Sequence, residues 1–454
     1  MQEKKLSFPT KPFRTNGGAR VPHRKHTTDM QSVIMPSPKT VTIAMQQHIG
    51  APCKPVVAVG DTVYVGTVVG DSDAFVCAPI HSSVSGTVKS ITNITLPGGK
   101  LTEAVVIESD GLDTPDPALK PVEVNNLQDF LRAVRASGLV GLGGAGFPTH
   151  VKLNVPEGKE IDTLLINCAE CEPYITADNR EVIENSWAVM SGIYSVLEIL
   201  GIERVIIGIE NNKPEAIKIL KEIADNEKYD PKDVVRVLPL KASYPQGAEK
   251  VLIKACTGRE VPAGKLPADA GCIVMNVTSI AVLSDYLKTG MPLVKKRLTI
   301  DGSAIKEPKN VIVPIGTPIN EVIEFCGGYK GEPHKILMGG PMMGLSLDDD
   351  TLPVLKQNNA ILAFDEKEAR LNDATDCIRC GRCVSACPMR LVPTKLCADI
   401  KLKDFDSMQK HQIMTCMECG SCAFSCPAHR HIVQTIRMGK GMLREYMATK
   451  KGDK

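Results

Sequence analysis

The pattern of apolar and polar positions changes texture several times along the 454-residue chain. Between residues 40 and 108, short apolar runs alternate with turn residues: Val56-Val57-Ala58-Val59-Gly60-Asp61, Val63-Tyr64-Val65-Gly66, Ala78-Pro79-Ile80 and Val84-Ser85-Gly86-Thr87-Val88. Such runs predict a small all-β unit. From about 121 the period lengthens. Leu127, Phe130, Leu131 and Val134 fall at i, i+3, i+4 and i+7, one helix face, and Gly138 ends it. A buried strand is expected over 162–167. A second helix is expected to turn Ile183, Trp187, Met190, Tyr194 and Leu197 inward, so Trp187, the only tryptophan, reads as core. Strand 204–209, a helix opened by Pro214, strand 233–238 and a helix over 248–255 follow. Alternating strands and helices predict a parallel sheet with helices on its faces. Short strands return between 295 and 345, including 298–300 and 311–313, with turns at Gly327-Gly328 and Gly339-Gly340. Asp348-Asp349-Asp350 then predicts a solvated linker.

Composition narrows the class. The length accommodates about three or four domains, and 43% apolar residues can fill several cores. With a net charge of +2 and no basic stripe interleaved with aromatics, nucleic acid is not an expected partner. No apolar segment follows the lysines of Met1-Gln-Glu-Lys-Lys, so no secretory signal is expected. The longest uncharged stretches, 138–151 and 270–284, are too short and polar to span a bilayer. The reading is a soluble or peripherally bound protein. Residues 1–30, with Gly17-Gly18 and His23-Arg24-Lys25-His26, read as a solvated basic arm. The segment after 430 reads as a basic helix with a frayed end.

The sixteen cysteines change the picture most. Without a signal, clustered thiols point to metal or redox chemistry rather than disulfides. Cys377-x2-Cys380-x2-Cys383-x3-Cys387-Pro388 is repeated as Cys416-x2-Cys419-x2-Cys422-x3-Cys426-Pro427. In this bacterial ferredoxin run three cysteines wrap one [4Fe–4S] cube, and the fourth, beside proline, reaches the other. Crossed ligation therefore assigns Cys377, Cys380, Cys383 and Cys426 to one cluster. Cys416, Cys419, Cys422 and Cys387 are assigned to the second. Paired CxxC motifs also hold zinc, but the repeated third and fourth cysteines favour iron–sulfur. Cys397, in the insert between the runs, reads as a buried thiol.

A second motif, Gly141-Leu142-Gly143-Gly144-Ala145-Gly146-Phe147-Pro148-Thr149, precedes Lys152. Residues without Cβ let amides approach a phosphate, and a lysine can supply countercharge. This loop resembles the flavin loop of the NADH-binding flavoprotein subunit of respiratory complex I. Further ordered segments are similar to that family: Asn167-Cys168-Ala169-Glu170-Cys171-Glu172-Pro173, Tyr244-Pro245-Gln246-Gly247-Ala248-Glu249 and Asn276-Val277-Thr278-Ser279. The resemblance implies that Gly141, Gly143, Gly144, Gly146, Lys152, Asn167, Tyr244, Asn276 and Ser279 belong to an FMN site, with Glu249 among the cofactor-binding residues. It implies that Phe147, Glu170 and Glu172 face NAD(H). Leu142, Ala169 and Ala248 stand where the family carries arginine, aspartate and glutamate.

The β-rich region resembles the barrel-sandwich fold of biotinyl and lipoyl carrier domains. Asp71-Ser72-Asp73-Ala74-Phe75 occupies the region of the cofactor-bearing lysine, so the unit reads as structural. The whole chain, including Gly339-Gly340-Pro341-Met342-Met343-Gly344, resembles the RnfC family of the Rnf ferredoxin:NAD oxidoreductase complexes. The implied fold is multidomain α+β. It comprises a basic arm and barrel-sandwich over 1–120, an α/β FMN/NADH domain over 121–290, and a β-grasp domain over 291–350. A linker at 351–371, a dicluster domain at 372–431 and a basic tail at 432–454 follow. The implied function is that of a peripheral redox component on the cytoplasmic side of the cell membrane. It would pass electrons between NAD(H), FMN and two clusters, with ferredoxin oxidation or reduction coupled to Na+ or H+ transport. Its implied partners are membrane subunits and a ferredoxin-type iron–sulfur subunit, through which it touches the membrane. The alternatives are a diaphorase subunit of a soluble hydrogenase or formate dehydrogenase, and a dicluster scaffold with a vestigial flavin site.

Overall fold

The computed structural model describes residues 7–452. The expectations for Met1–Lys5 and for the frayed end at 453–454 lie outside the described residues. Two small antiparallel sheets build the β-rich unit. One orders Thr40–Ala44, Lys100–Ser109, Gly86–Leu96 and Thr62–Val63; the other orders Lys54–Pro55, Val68–Asp71 and Ile80–His81. Alternate residues such as Val41, Ile43, Val105 and Ile107 turn inward and fill a shared core with Val63, Val69 and Ile80.

The α/β region has four parallel strands, ordered Val235–Leu240, Arg204–Glu210, Thr163–Cys168 and Cys272–Asn276. Their near-continuous apolar runs serve two cores. Leu164, Ile166, Val205 and Ile207 face one layer, whereas Leu165 and Ile206 face the other. This is what a parallel sheet covered on both faces requires. The edge strand begins two residues later than the pattern predicts. Trp187 corrects another expectation: it is 53% exposed and packs edge-on against Tyr229, with centroids 4.3 Å apart. Its helix, Ala177–Leu200, has non-helical angles at Asn185, which break the i, i+4 register that placed Ile183 and Trp187 together.

The third unit is a six-stranded mixed sheet carrying helix Ile319–Phe325. Here the expected linker over 351–371 is corrected. Strand Ala360–Phe364 lies inside this sheet, between Lys295–Asp301 and Lys335–Met338, and all five residues are buried. Its apolar run completes the core that Leu298, Ile300 and Met338 begin. Residues Val33–Ile34 add an edge strand, so the N-terminal segment is shared with this sheet.

The expected solvated arm is also corrected. The Lys25 ammonium is enclosed and donates to the backbone carbonyls of Glu170, Glu172 and Ile175. Three carbonyls satisfy all three donors of a lysine. Upstream, Gly18 donates to the carbonyl of Ala386 and Ala19 pairs with Tyr244. The segment is thus a strap from the cluster region across the α/β region to the mixed sheet. The C-terminal helix Ile432–Gly452 is likewise packed, with Ile432, Val433, Ile436 and Leu443 in the cluster-domain core. Among the described residues, no helix is long and apolar enough to cross a membrane.

Candidate redox sites

The chain order of the parallel sheet creates the first site. From Thr163–Cys168 the chain builds two strands outward on one side, then returns to the other side with Cys272–Asn276. At such a reversal the connections diverge and leave a crevice at the carboxyl ends of the strands. Asn167 and Asn276 are register partners at that point. Asn167 donates to the Gly247 carbonyl at 2.8 Å. Asn276 caps helix Val277–Thr289 by accepting from the Ser279 amide, and its own side-chain amide donates to Asp178 at 2.7 Å. The N-terminus of helix Val277–Thr289 therefore starts beside the crevice, where its field favours an anion, while that of Ala177–Leu200 is taken by the Glu170 carboxylate.

The glycine loop lies against the same asparagine. It closes on itself through Gly141 N–H to the Phe147 carbonyl and Gly146 N–H to the Gly141 carbonyl. The Leu142 amide donates to the Ser279 hydroxyl at 3.1 Å. A Cβ on Gly143 would stand 3.1 Å from the Asn276 side chain, and Gly144 has φ +139°, a conformation suited to glycine. Gly143, Gly144 and Ala145 are exposed, and their amides have no hydrogen-bond partner among the described residues. Free amides, closely approached backbone and the N-terminus of Val277–Thr289 fit a phosphate-bearing flavin. Lys152 lies at the floor, 3.2 Å from Glu249 and 2.9 Å from the Val274 carbonyl.

Of the remaining residues of the resemblance, Phe147 stays in the glycine loop, half-buried, whereas Glu170, Glu172 and Tyr244 already have protein partners. Glu170 accepts from the Asp178 and Asn179 amides and so caps helix Ala177–Leu200; burial raises its carboxyl, against the pull of Lys25. Glu172 accepts from the Met342 amide, and burial raises its carboxyl to about 7. Tyr244 is 1% exposed and donates to the Cys419 carbonyl at 2.6 Å, with Glu172 at 3.4 Å. A side chain this buried offers no open face to a crevice ligand. Tyr244 is instead the wall between the α/β region and the cluster loops, packed with Cys171, Met342, Met417 and Ala19. Sequence reasoning missed Asp178, which holds both Asn276 and Thr278; its signal was an acid in the first turn of a helix. It also missed Lys25.

The cysteine runs form the second site and repeat one backbone course. Arg379 and Glu418 both take positive φ, as do Gly381 and Gly420, and then Arg390 and His429. Helices Arg382–Ser385 and Ser421–Phe424 start at matching places. Cys387 lines one cavity with Cys416, Cys419 and Cys422, walled by Met389, Leu391, Val433 and Ile436. The Glu418 amide points at the Cys416 sulfur and the Leu391 amide at the Cys387 sulfur, at 3.4 and 3.3 Å. Amides aimed at sulfur stabilise ligating thiolates. On the other side, the Thr375 amide donates to the Ala428 carbonyl, which brings the start of the first run to the end of the second. Cys426 lies within electrostatic reach of Cys383, while Cys377 and Cys380 are exposed. Burial pushes the Cys422 thiol up to about 12, so a bound cation must displace its proton. The insert is helical over Pro393–Lys401, and Cys397 is half-buried there.

A parallel sheet with a phosphate-suited crevice, joined to two cysteine sets, defines a flavin- and iron–sulfur-dependent electron-transfer protein. Family models agree with each unit: the RnfC barrel sandwich hybrid domain at 13–112, the Nuo51 FMN-binding domain at 134–285, the SLBB domain at 297–346 and the 4Fe-4S dicluster domain at 376–429. The chain is 45% identical to the C subunit of the proton-translocating ferredoxin:NAD(+) oxidoreductase complex of Clostridium ljungdahlii, over 91% of this chain and 90% of that one. It is 44% identical to the corresponding component of the Na(+)-translocating complex of Acetobacterium woodii, over 93% and 96%. The corresponding component of the ion-translocating oxidoreductase complex of Rhodobacter capsulatus is 38% identical, over 98% and 86%. The chain belongs to this RnfC family of the Rnf complexes.

Proposed function

We propose that this chain is the peripheral component through which an ion-translocating ferredoxin:NAD oxidoreductase complex exchanges electrons with NAD(H). The reading rests on the Tyr244 hydroxyl bonded to the Cys419 carbonyl, which joins the flavin-side wall to a cluster loop. Bound FMN supplies the conversion between hydride transfer and single-electron transfer. The glycine loop and Asn276 would hold its phosphate end, with Lys152 supplying countercharge at the floor. Cys416, Cys419, Cys422 and Cys387 would ligate the cluster beside Tyr244. Cys377, Cys380, Cys383 and Cys426 would ligate the one farther from the crevice. Two of these, Cys377 and Cys380, lie at the surface, where a ferredoxin-type partner can approach. Glu170 and Glu172 orient rather than react: one fixes a helix N-terminus, the other the 339–344 segment. The protein sits on the cytoplasmic side, where NAD(H) is found, and touches the membrane through its partner subunits.

Gly144→Val tests the flavin assignment. The glycine faces open space in the crevice, so a β-branched side chain would occupy the ligand's approach and strain the backbone. FMN content should fall at least about tenfold, a change of roughly 1.4 kcal/mol, with iron content unchanged. Full FMN in the folded variant would remove the glycine loop from the site.

A further inference from the structure

The β-rich unit holds a cluster of side chains that the electron-transfer reading does not use. His48, Cys53 and Cys77 are buried together, with their ligand atoms mutually close. The Cys53 and Cys77 sulfurs are 3.4 Å apart. His48 Nε2 lies 3.8 Å from the first and 3.7 Å from the second. His48 Nδ1 is 3.2 Å from the Ile49 carbonyl. A proton on Nδ1 therefore has an acceptor, which leaves Nε2 as the acceptor nitrogen on the sulfur side; without a cation its lone pair takes the Ala78 N–H at 3.2 Å, a bond that a bound cation would replace. A histidine ligand is ordinarily oriented this way, with its far nitrogen bonded to a carbonyl.

We propose that His48 Nε2, Cys53 Sγ and Cys77 Sγ bind one thiophilic cation, zinc(II) or copper(I), as a clip behind the glycine loop. The centre of the triangle formed by the three atoms lies about 2.1 Å from each, close to zinc–nitrogen distances of about 2.0–2.1 Å and zinc–sulfur distances of about 2.3 Å. The donor set is soft, which selects these cations over magnesium or calcium. Binding releases the two thiol protons to solvent. With zinc the ligated group becomes neutral, which suits a buried site. The Lys356 ammonium, held by the Pro79 and Gly138 carbonyls, lies within electrostatic reach of both sulfurs. The two sulfurs are free thiols 3.4 Å apart, well beyond the roughly 2.05 Å of a disulfide bond.

The placement gives the clip a purpose. It would tie the 48–53 turn to the 77–78 segment, a link that the Ala78 amide makes through its bond to His48 Nε2 when no cation is bound. The Ile49 amide donates to the Gly146 carbonyl at 3.0 Å, and a Cβ on Gly146 would stand 3.5 Å from the His48 Cα. The clipped turn is therefore the seat for the end of the glycine loop.

The test uses the full chain with its clusters and flavin in place. Elemental analysis should find one equivalent of zinc or copper beyond iron, and which metal it is separates the two cations. X-ray absorption at that metal's edge should show two sulfur ligands and a nitrogen. A Cys53→Ala/Cys77→Ala double variant should lose the metal and keep its iron. No metal besides iron overturns the proposal. So does a four-sulfur shell, which would mark zinc in an emptied cluster site, or metal retained by the double variant. A Cys53–Cys77 disulfide in non-reducing peptide maps overturns it as well. The absorption measurement on the unmodified protein decides the matter if the variant does not fold.

Discussion

The crevice and the cluster domain hold cofactors by opposite means. The crevice is built from backbone amides, asparagines and a helix N-terminus, and its sheet rests on aliphatic cores such as Leu164, Ile166, Val205 and Ile207. None of its proposed ligand contacts is needed to fill those cores. The cluster domain has short helices, and its core counts Cys383 and Cys422 among its buried members, with Cys387, Cys416 and Cys426 packed at its margin. A unit of this size buries little apolar surface by itself. There ligands are part of the core, beside Leu396, Ile400 and Ile436, so metal and fold are coupled.

The largest expected effect separates the two regions. Chelating iron from the holoprotein should collapse amide protection in 377–426 by about two orders of magnitude. Strands Thr163–Cys168 and Arg204–Glu210 should change little. Hydrogen exchange read by mass spectrometry makes the comparison. Equal loss in both regions would show that the sheet depends on the clusters.

The next test sharpens the cluster side. Cys387→Ala should perturb the same paramagnetic centre as Cys422→Ala, while Cys426→Ala should perturb the centre altered by Cys383→Ala. Electron paramagnetic resonance of the reduced variants reads this directly. Cys387→Ala grouping with Cys383→Ala would contradict crossed ligation.

A smaller effect concerns the strap that joins the regions. Lys25→Met leaves three carbonyls without their shared donor, and hydrogen bonds to charged groups are worth about 1.5–3 kcal/mol. The denaturation midpoint of the α/β region should fall accordingly, with iron content retained. An unchanged midpoint would make the strap incidental.

These regions also differ in how plainly the sequence displays them. A cubane needs thiolates at short fixed spacings, so the cysteine runs are local and legible. The interior strands of the parallel sheet are legible for a similar reason, since burial on both faces leaves unbroken apolar runs. The strap is not, because Lys25 meets its carbonyls about 150 positions away and no spacing rule encodes that. Strand Ala360–Phe364 carried its signal openly in five apolar residues, but the preceding aspartates drew the reading toward a linker. Trp187 misled because helical periodicity assumes an unbroken helix, and Asn185 breaks it. The position of Tyr244 depends on a domain contact that no single segment reveals.

The central claim is that NAD(H) reaches the clusters only by way of the flavin crevice. Anaerobic visible spectra of the holoprotein and of Gly144→Val measure it, with NADH and dithionite as reductants. In the holoprotein both should bleach the iron–sulfur absorption. In the flavin-depleted variant dithionite should still bleach it and NADH should not. Full bleaching by NADH without flavin would contradict the account.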